Sequence, residues 1–489
     1  MRARALVISR LVLAATFAAV TPFAARAAVT NRVAAPPPSL AERYREPAGR
    51  LIGAALASDH AYLRLSQLCD GIGHRLSGSP ELNRAIAWAQ DAMREDGLER
   101  VRKIPAMVPH WVRGDERAVM VEPGPQELSI LALGRSPGTQ AGGITADVVE
   151  VTSWADLEAL PDDAVREHIV LFNVPFTTYG QTTKYRGDAA RRAAKRGAIA
   201  VLVRSVTPTS LRTPHTGAMS DSLPKIPAAA VTIEDAQMMH RLLARGERVR
   251  VHLELGCRTL PDTLSADVVG ELRGREKPEE IVVVGGHLDS WDVGQGAQDD
   301  GGGCIISLEA VRLMKQLGLR PRRTIRVCFW TNEENGARGA EAYADSCGKK
   351  ERHVAAVESD GGVERPTGFG FSVRRSDLPD STDRQRTARI FERAKAIAPL
   401  LAGLGADRFT DDGSDTDTGP MMKLGVMGVA HRTSGEHYFD WHHTRSDMLD
   451  KVDPIELRKN VAAMAVVLYV LADNPERLDV EPGVATRSR

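Results

Sequence analysis

Alternating strand and helix patterns over residues 261–475 predict an α/β fold, a mostly parallel sheet covered by helices. Two further observations shape that reading. Residues 116–260 differ in texture, with short β-type runs such as RAVMVE, ITADVVEV, HIVLFNV and AIAVLVRS between Gly and Pro clusters. That texture predicts an inserted β-rich domain. The polar clusters of the later segment each follow a predicted strand, the position where open α/β sheets bind ligands.

In chain order, residues 1–27 read MRARALVISRLVLAATFAAVTPFAARA. Arginines precede an apolar run that ends at Ala25-Arg26-Ala27, the pattern of a cleaved secretory signal. The expected location is secreted or periplasmic. Pro22 and Arg26 leave the run short of the ~20 residues a membrane span needs. Cleavage takes the formal charge from zero (64 basic, 64 acidic) to −4 (60 basic, 64 acidic). With no basic stripe and no recognition motif, nothing points to nucleic acid. Five cysteines, an odd number without any C-x-x-C, exclude a zinc ribbon or redox motif, and Cys304 and Cys328 read as buried thiols.

Residues 28–115 form the N-terminal part of the main domain. The stretch 28–50 reads as a loose Pro- and Ala-rich arm, and 51–68 and 81–97 as helices. His74, in the loop between them, has no partner nearby in sequence and reads as structural. The 116–260 insertion contains one amphipathic helix, DAARRAAKRG, and few candidate catalytic groups. Within 261–475, SADVVGELRG, EEIVVVGG, RRTIRVCFW, HVAAVESD and GVMGVA read as strands. GGGCIISLEAVRLMKQLGL, NGARGAEAYADSC, TARIFERAKAIAPLL and DPIELRKNVAAMAVVLYVLAD read as helices, the last too short in its apolar run to span a bilayer. Residues 476–489 are a tail.

The strand EEIVVVGG ends at His287 and Asp289, and a Gly-rich loop then places Asp299 beside Asp300. RRTIRVCFW is followed by Glu333 and Glu334, and VAAVES by Asp360. After the last strand come His442, His443 and Asp447. Carboxylates gathered this closely repel one another and lose solvation, and a divalent cation offsets that cost. His287, Asp299, Glu334, Asp360 and His443 supply two imidazoles and three carboxylates, a donor set that suits zinc. They are too many for one tetrahedral ion and fit two if one carboxylate bridges. Glu333, beside a ligand, is placed to act as general base on water. Asp289 is placed to orient His287, and Asp447 to do the same for His443. In DDGSDTD (411–417), which lacks the spacing of a calcium loop, Asp415 is a possible pocket residue.

The motifs GIGHRLSGS, PHW, SVTPTSLRTPHTG, PKIPAAAVTIEDAQMM, GGHLDSWDVGQGAQDDGGG, LGLRPRRTIRV, ESDGG and the His-His before T-R-S-D resemble the M28 family of co-catalytic zinc peptidases. The resemblance runs from about residue 40 to 475. It implies a phosphorylase/hydrolase-like fold, with 116–260 as a protease-associated domain shaping the cleft. It also implies a zinc held by His287 and Asp360, a second by Glu334 and His443, Asp299 bridging, and Glu333 as base. A cis bond between Asp299 and Asp300 is implied too, as is a homodimer. Where relatives place an oxyanion-stabilising Tyr this chain has His442, which takes that catalytic role on the same reading. The expected activity is a two-zinc exopeptidase acting on dipeptides or short peptides with free termini. The alternatives are a zinc aminopeptidase on longer peptides, a single-zinc glutaminyl cyclase-like transferase and a receptor-like module that has lost catalysis.

Overall fold

The computed structural model describes Ser9, residues 38–413 and residues 416–480. The rest of the segment read as a signal lies outside these residues, as does Asp415.

The first helix, Leu40–Leu56, starts inside the stretch expected to be a loose arm. Ser39 caps it reciprocally with Glu42, and this capping box sets the start despite Pro47 inside the helix. The helical pattern expected over 51–68 is divided between this helix and a second, His60–Cys69. A third spans Pro80–Glu95, with Ser79 as its cap.

Among the described residues sixteen strands follow in chain order. The first is β1 (Glu99–Val112). Eight lie in the middle of the chain: β2 (Glu116–Glu122), β3 (Gln126–Leu128), β4 (Ile130–Ala132), β5 (Ile144–Val151), β6 (Ile169–Phe172), β7 (Ala200–Arg204), β8 (Ala228–Val231) and β9 (Arg250–Leu255). The remaining seven are β10 (Arg258–Leu272), β11 (Lys277–His287), β12 (Arg323–Trp330), β13 (Arg352–Glu358), β14 (Pro366–Ser372), β15 (Arg408–Thr410) and β16 (Met427–Thr433).

They form two sheets. The first runs β1-β10-β12-β11-β13-β16-β14-β15. Its centre, β12-β11-β13-β16, is parallel. The flanks are mixed: β1, β10 and β12 pair antiparallel, as do β14 and β16. The sheet is therefore less parallel than expected, because β10 returns beside β1 as a long ribbon before the alternating pattern begins. The central strands are buried on both faces and mostly apolar, since helices cover them on each side, with Arg323 and Arg326 of β12 paired to Glu280 and Glu271. Pro454–Asp473 packs against both Gly302–Gln316 and Leu40–Leu56 within this core, so its apolar run is core and not a span. No helix among the described residues is long and apolar enough to cross a membrane.

The second sheet, β3-β2-β9-β5-β6-β7-β8-β4, uses residues 116–255. It is less purely β than expected. The connections between parallel strands β5 to β8 include helices, with Tyr179–Lys195 between β6 and β7, and Ile233–Ala244 leads from β8 to β9. The two sheets do not separate: the described residues from 39 to 480 make one compact unit. Trp111 of β1 and Trp291, just beyond β11, meet edge-on at 6.5 Å within the core beneath the second sheet. Arg113 clamps the junction through both nitrogens to Asp292, at 2.9 and 2.6 Å. All five cysteines are unpaired and buried.

Candidate metal centre

The parallel set β12-β11-β13-β16 ends on one edge, and that edge gathers the residues expected there. His287 closes β11, Glu333 and Glu334 follow β12, Asp360 follows β13, and His442 and His443 follow the loop after β16. Asp299 enters from the glycine-rich loop, where Gly294 and Gly296 adopt left-handed backbone (φ 73° and 58°) that other residues reach only with strain. The Asp299–Asp300 peptide is cis.

Asp299 lies between the two imidazoles. Its Oδ1 is 3.2 Å from His287 Nε2, and its Oδ2 is 3.2 Å from His443 Nε2. His443 Nε2 is also 3.0 Å from Glu334 Oε2, while His287 Nε2 is 3.7 Å from Asp360 Oδ1 and 4.0 Å from Glu333 Oε2. The outer ring nitrogens are held from outside the cluster. His287 Nδ1 is 2.9 Å from the Asp289 carbonyl, and His443 Nδ1 is 3.2 Å from the Thr216 carbonyl. A carbonyl only accepts, so His287 Nδ1–H donates outward and leaves Nε2 as its inward atom. His443 Nδ1 has both the Thr216 carbonyl and, at 3.4 Å, the Arg186 Nη1 outside the centre, and its Nε2 also faces inward.

Each Nε2 thus faces carboxylate oxygens, where a metal would take the place of the proton that the metal-free imidazole shares with them. Asp299 Oδ2 and Glu334 Oε1 are buried and have no hydrogen-bond partner. These residues fit a divalent metal. In the metal-free chain burial opposes charge on His287, but Asp299 and Asp360 outweigh it and move the imidazole well upward. His443 rises likewise against burial, through Glu334 and Asp299. Burial, with repulsion from Asp299, pushes Glu334 up to about 7. Burial also raises half-buried Glu333 well above the usual carboxylate range, helped by Asp360 and Glu334. His442 stacks on His443 with ring centres 3.5 Å apart and sits 3.4 Å from Asp299. Burial and the neighbouring His443 hold it well below its ordinary value.

Two supporting residues do different work from that expected. The Asp289 carboxylate does not orient His287; its own backbone carbonyl does. The side chain instead accepts from the N–H groups of Glu333 (3.1 Å) and Glu334 (3.3 Å), so it fixes the pair of glutamates. Asp447 does not touch His443. Its carboxylate accepts from the N–H groups of Ala297 (3.0 Å), Gln298 (2.7 Å) and Asp299 (3.1 Å), holding the loop that carries Asp299. Asp300 accepts from the N–H groups of His287 (3.0 Å) and Gly303 (3.1 Å), so it braces the loop against β11. A Cβ on Gly286 or Gly303 would overlap the Asp300 carboxylate, which is why glycine stands at both.

Sequence reasoning missed other contributors. Arg75, fully buried, donates to the carbonyls of Leu288 (2.6 Å), Gly73 (3.0 Å), Gln295 (2.5 Å) and Gly296 (2.9 Å) and ties the loop together. The middle segment, expected to hold few catalytic groups, brings Thr216, Arg186 and Tyr179 to the centre. The charge of Arg75 marks no role without its carbonyl partners, and three of those four contacts join residues far apart in sequence.

This fold and this cluster define a metallopeptidase. The Peptidase family M28 profile matches residues 267–468. Carboxypeptidase Q of Mus musculus is 42% identical over 423 residues, covering 86% of this chain and 87% of that protein. Carboxypeptidase Q of Homo sapiens is 42% identical over 425 residues, with the same coverage. The chain belongs to peptidase family M28. Among solved structures, a peptidase M28 precursor from Shewanella amazonensis SB2B superposes with a TM-score of 0.82 at 33% identity, covering 89% of this chain and 98% of that one. A zinc aminopeptidase from Bacillus subtilis, at 20% identity and TM-score 0.64 over 86% of this chain and 96% of its own, shares the fold.

Proposed function

We propose that this chain is a secreted or periplasmic two-zinc exopeptidase that hydrolyses dipeptides or short peptides with free ends. The observation that carries the reading is the Asp299 carboxylate, one oxygen toward each of two inward-facing imidazole nitrogens. On this reading His287 and Asp360 would hold one zinc, Glu334 and His443 the other, with Asp299 common to both. Residues 116–260 would form a protease-associated domain, and two copies of the chain a homodimer. Bound zinc would supply Lewis acidity to the scissile carbonyl and to the attacking water.

The chain's own residues do the rest. Glu333, fixed at its N–H by Asp289, takes a proton from the attacking water and delivers it to the departing amine. Its raised affinity for protons in the metal-free chain suits a group that must both accept and return one. His442, kept neutral by burial and by His443, can donate to the carbonyl oxygen as negative charge develops there. Similarity to carboxypeptidase Q supports trimming that needs a free carboxyl end. The test is a panel of dipeptides, unblocked, N-blocked and C-blocked. Cleavage of the unblocked forms alone is expected. Tolerance of C-terminal blocking would replace the reading with an aminopeptidase.

A further inference from the structure

We propose that the middle segment sets one half of the metal centre: Arg186 and the Thr216 carbonyl fix His443, while the His287 half is built by the first sheet alone. The inference rests on the two-metal reading above.

Three observations carry it. His443 and Thr216 are joined twice, His443 Nδ1 to the Thr216 carbonyl at 3.2 Å and the Thr216 N–H to the His443 carbonyl at 3.0 Å. Arg186 sits behind this pair, 8% exposed. Its Nη1 donates to the same Thr216 carbonyl at 3.1 Å and lies 3.4 Å from His443 Nδ1, and its Nη2 donates to the Tyr179 hydroxyl at 2.9 Å. Finally, His443 has a left-handed backbone (φ 61°), a conformation that persists in a non-glycine residue only where its surroundings enforce it. The middle segment also touches the residue after the other ligand of this half, for Arg135 donates to the carbonyl of Asn335. On the other half, the outer nitrogen of His287 meets the Asp289 carbonyl just beyond β11.

Arg186 is a positioning residue on this account, and the sign of its effect separates positioning from charge. A guanidinium near a divalent cation repels it, so removing the charge alone would tighten metal binding. Losing the clamp on an imidazole ligand weakens binding about tenfold to a hundredfold. The experiment is chelator competition for zinc on the full chain, wild type against Arg186→Met, with circular dichroism to verify folding. Arg186→Lys is the second variant, because it keeps the charge and loses the fork that reaches the Thr216 carbonyl and the Tyr179 hydroxyl together. The expected result is one of two binding events weakened at least about tenfold in both variants, with the other unchanged. Tighter binding, no change, or equal weakening of both events overturns the proposal. If Arg186→Met does not fold, Arg186→Lys decides alone. A wild type with a single binding event contradicts the two-zinc reading. The positioning role then stands if that event weakens about tenfold and falls if it does not.

Discussion

Glu333 illustrates how little of a site resides in the side chain that performs the chemistry. Its carboxylate is aimed by a backbone N–H that Asp289 holds at 3.1 Å. Replacing Glu333 with Gln keeps the shape and removes the base. The expected loss is about 10²–10⁴-fold in kcat with metal content unchanged, read by steady-state kinetics alongside metal analysis. Full activity in that variant would remove Glu333 from the mechanism. Arg75 makes a second prediction at this scale. Its replacement by Met strands four carbonyls around a buried site, and unsatisfied buried acceptors are costly. A loss of about 3 kcal/mol or more is expected in urea unfolding. A change under about 1 kcal/mol would show that water replaces the guanidinium at little cost.

At the scale of elements, the parallel strands deliver ligands to one edge and the loops between them are held by carboxylates. Asp447 grips three consecutive N–H groups of the Asp299 loop. Replacing it with Asn exchanges one acceptor oxygen for a donor facing those N–H groups. Metal affinity is expected to fall about tenfold to a hundredfold in chelator competition, since support of a ligand matters nearly as much as the ligand. Unchanged affinity would mean that the loop holds itself. This level also shows what the sequence could reveal. The apolar runs of β11, β12, β13 and β16 and the polar residues that follow them were readable, because period and composition mark strand ends. The partners of Asp289 and Asp447 were not, because a backbone N–H belongs to every residue and proximity in space leaves no mark on composition. β1 was missed because a half-exposed strand in an Arg- and Lys-bearing stretch carries a weak apolar signal. Thr216 and Arg186 were missed because their role exists only once two distant segments meet.

For the whole molecule, the metal-free centre ties folding to proton uptake. Burial, with the nearby Asp299 charge, pushes both Glu334 and Asp447 up to about 7. In the unfolded chain both titrate near pH 4. Between roughly pH 4 and 7 the folded state therefore holds protons that the unfolded state has released, and stability falls as pH rises. His287 and His443, both raised, act in the same direction, since their contribution is present at low pH and is lost as pH climbs through their folded values. Buried His442, His215, His353 and His431, held low by burial, act the opposite way below about pH 6.5. The chelated protein is therefore expected to lose Tm from about pH 6.5 to pH 8, and the gap to the metal-loaded form to widen, because metal displaces those protons. A chelated Tm that rises over that range would contradict this linkage.

The most direct test of the central claim is zinc per chain in the purified protein, measured with hydrolysis of unblocked and blocked dipeptides on the same sample. Two zincs with cleavage of the unblocked forms alone is the predicted result. One zinc and no hydrolysis would mean that the strand-end residues do not assemble the two-metal centre proposed for them.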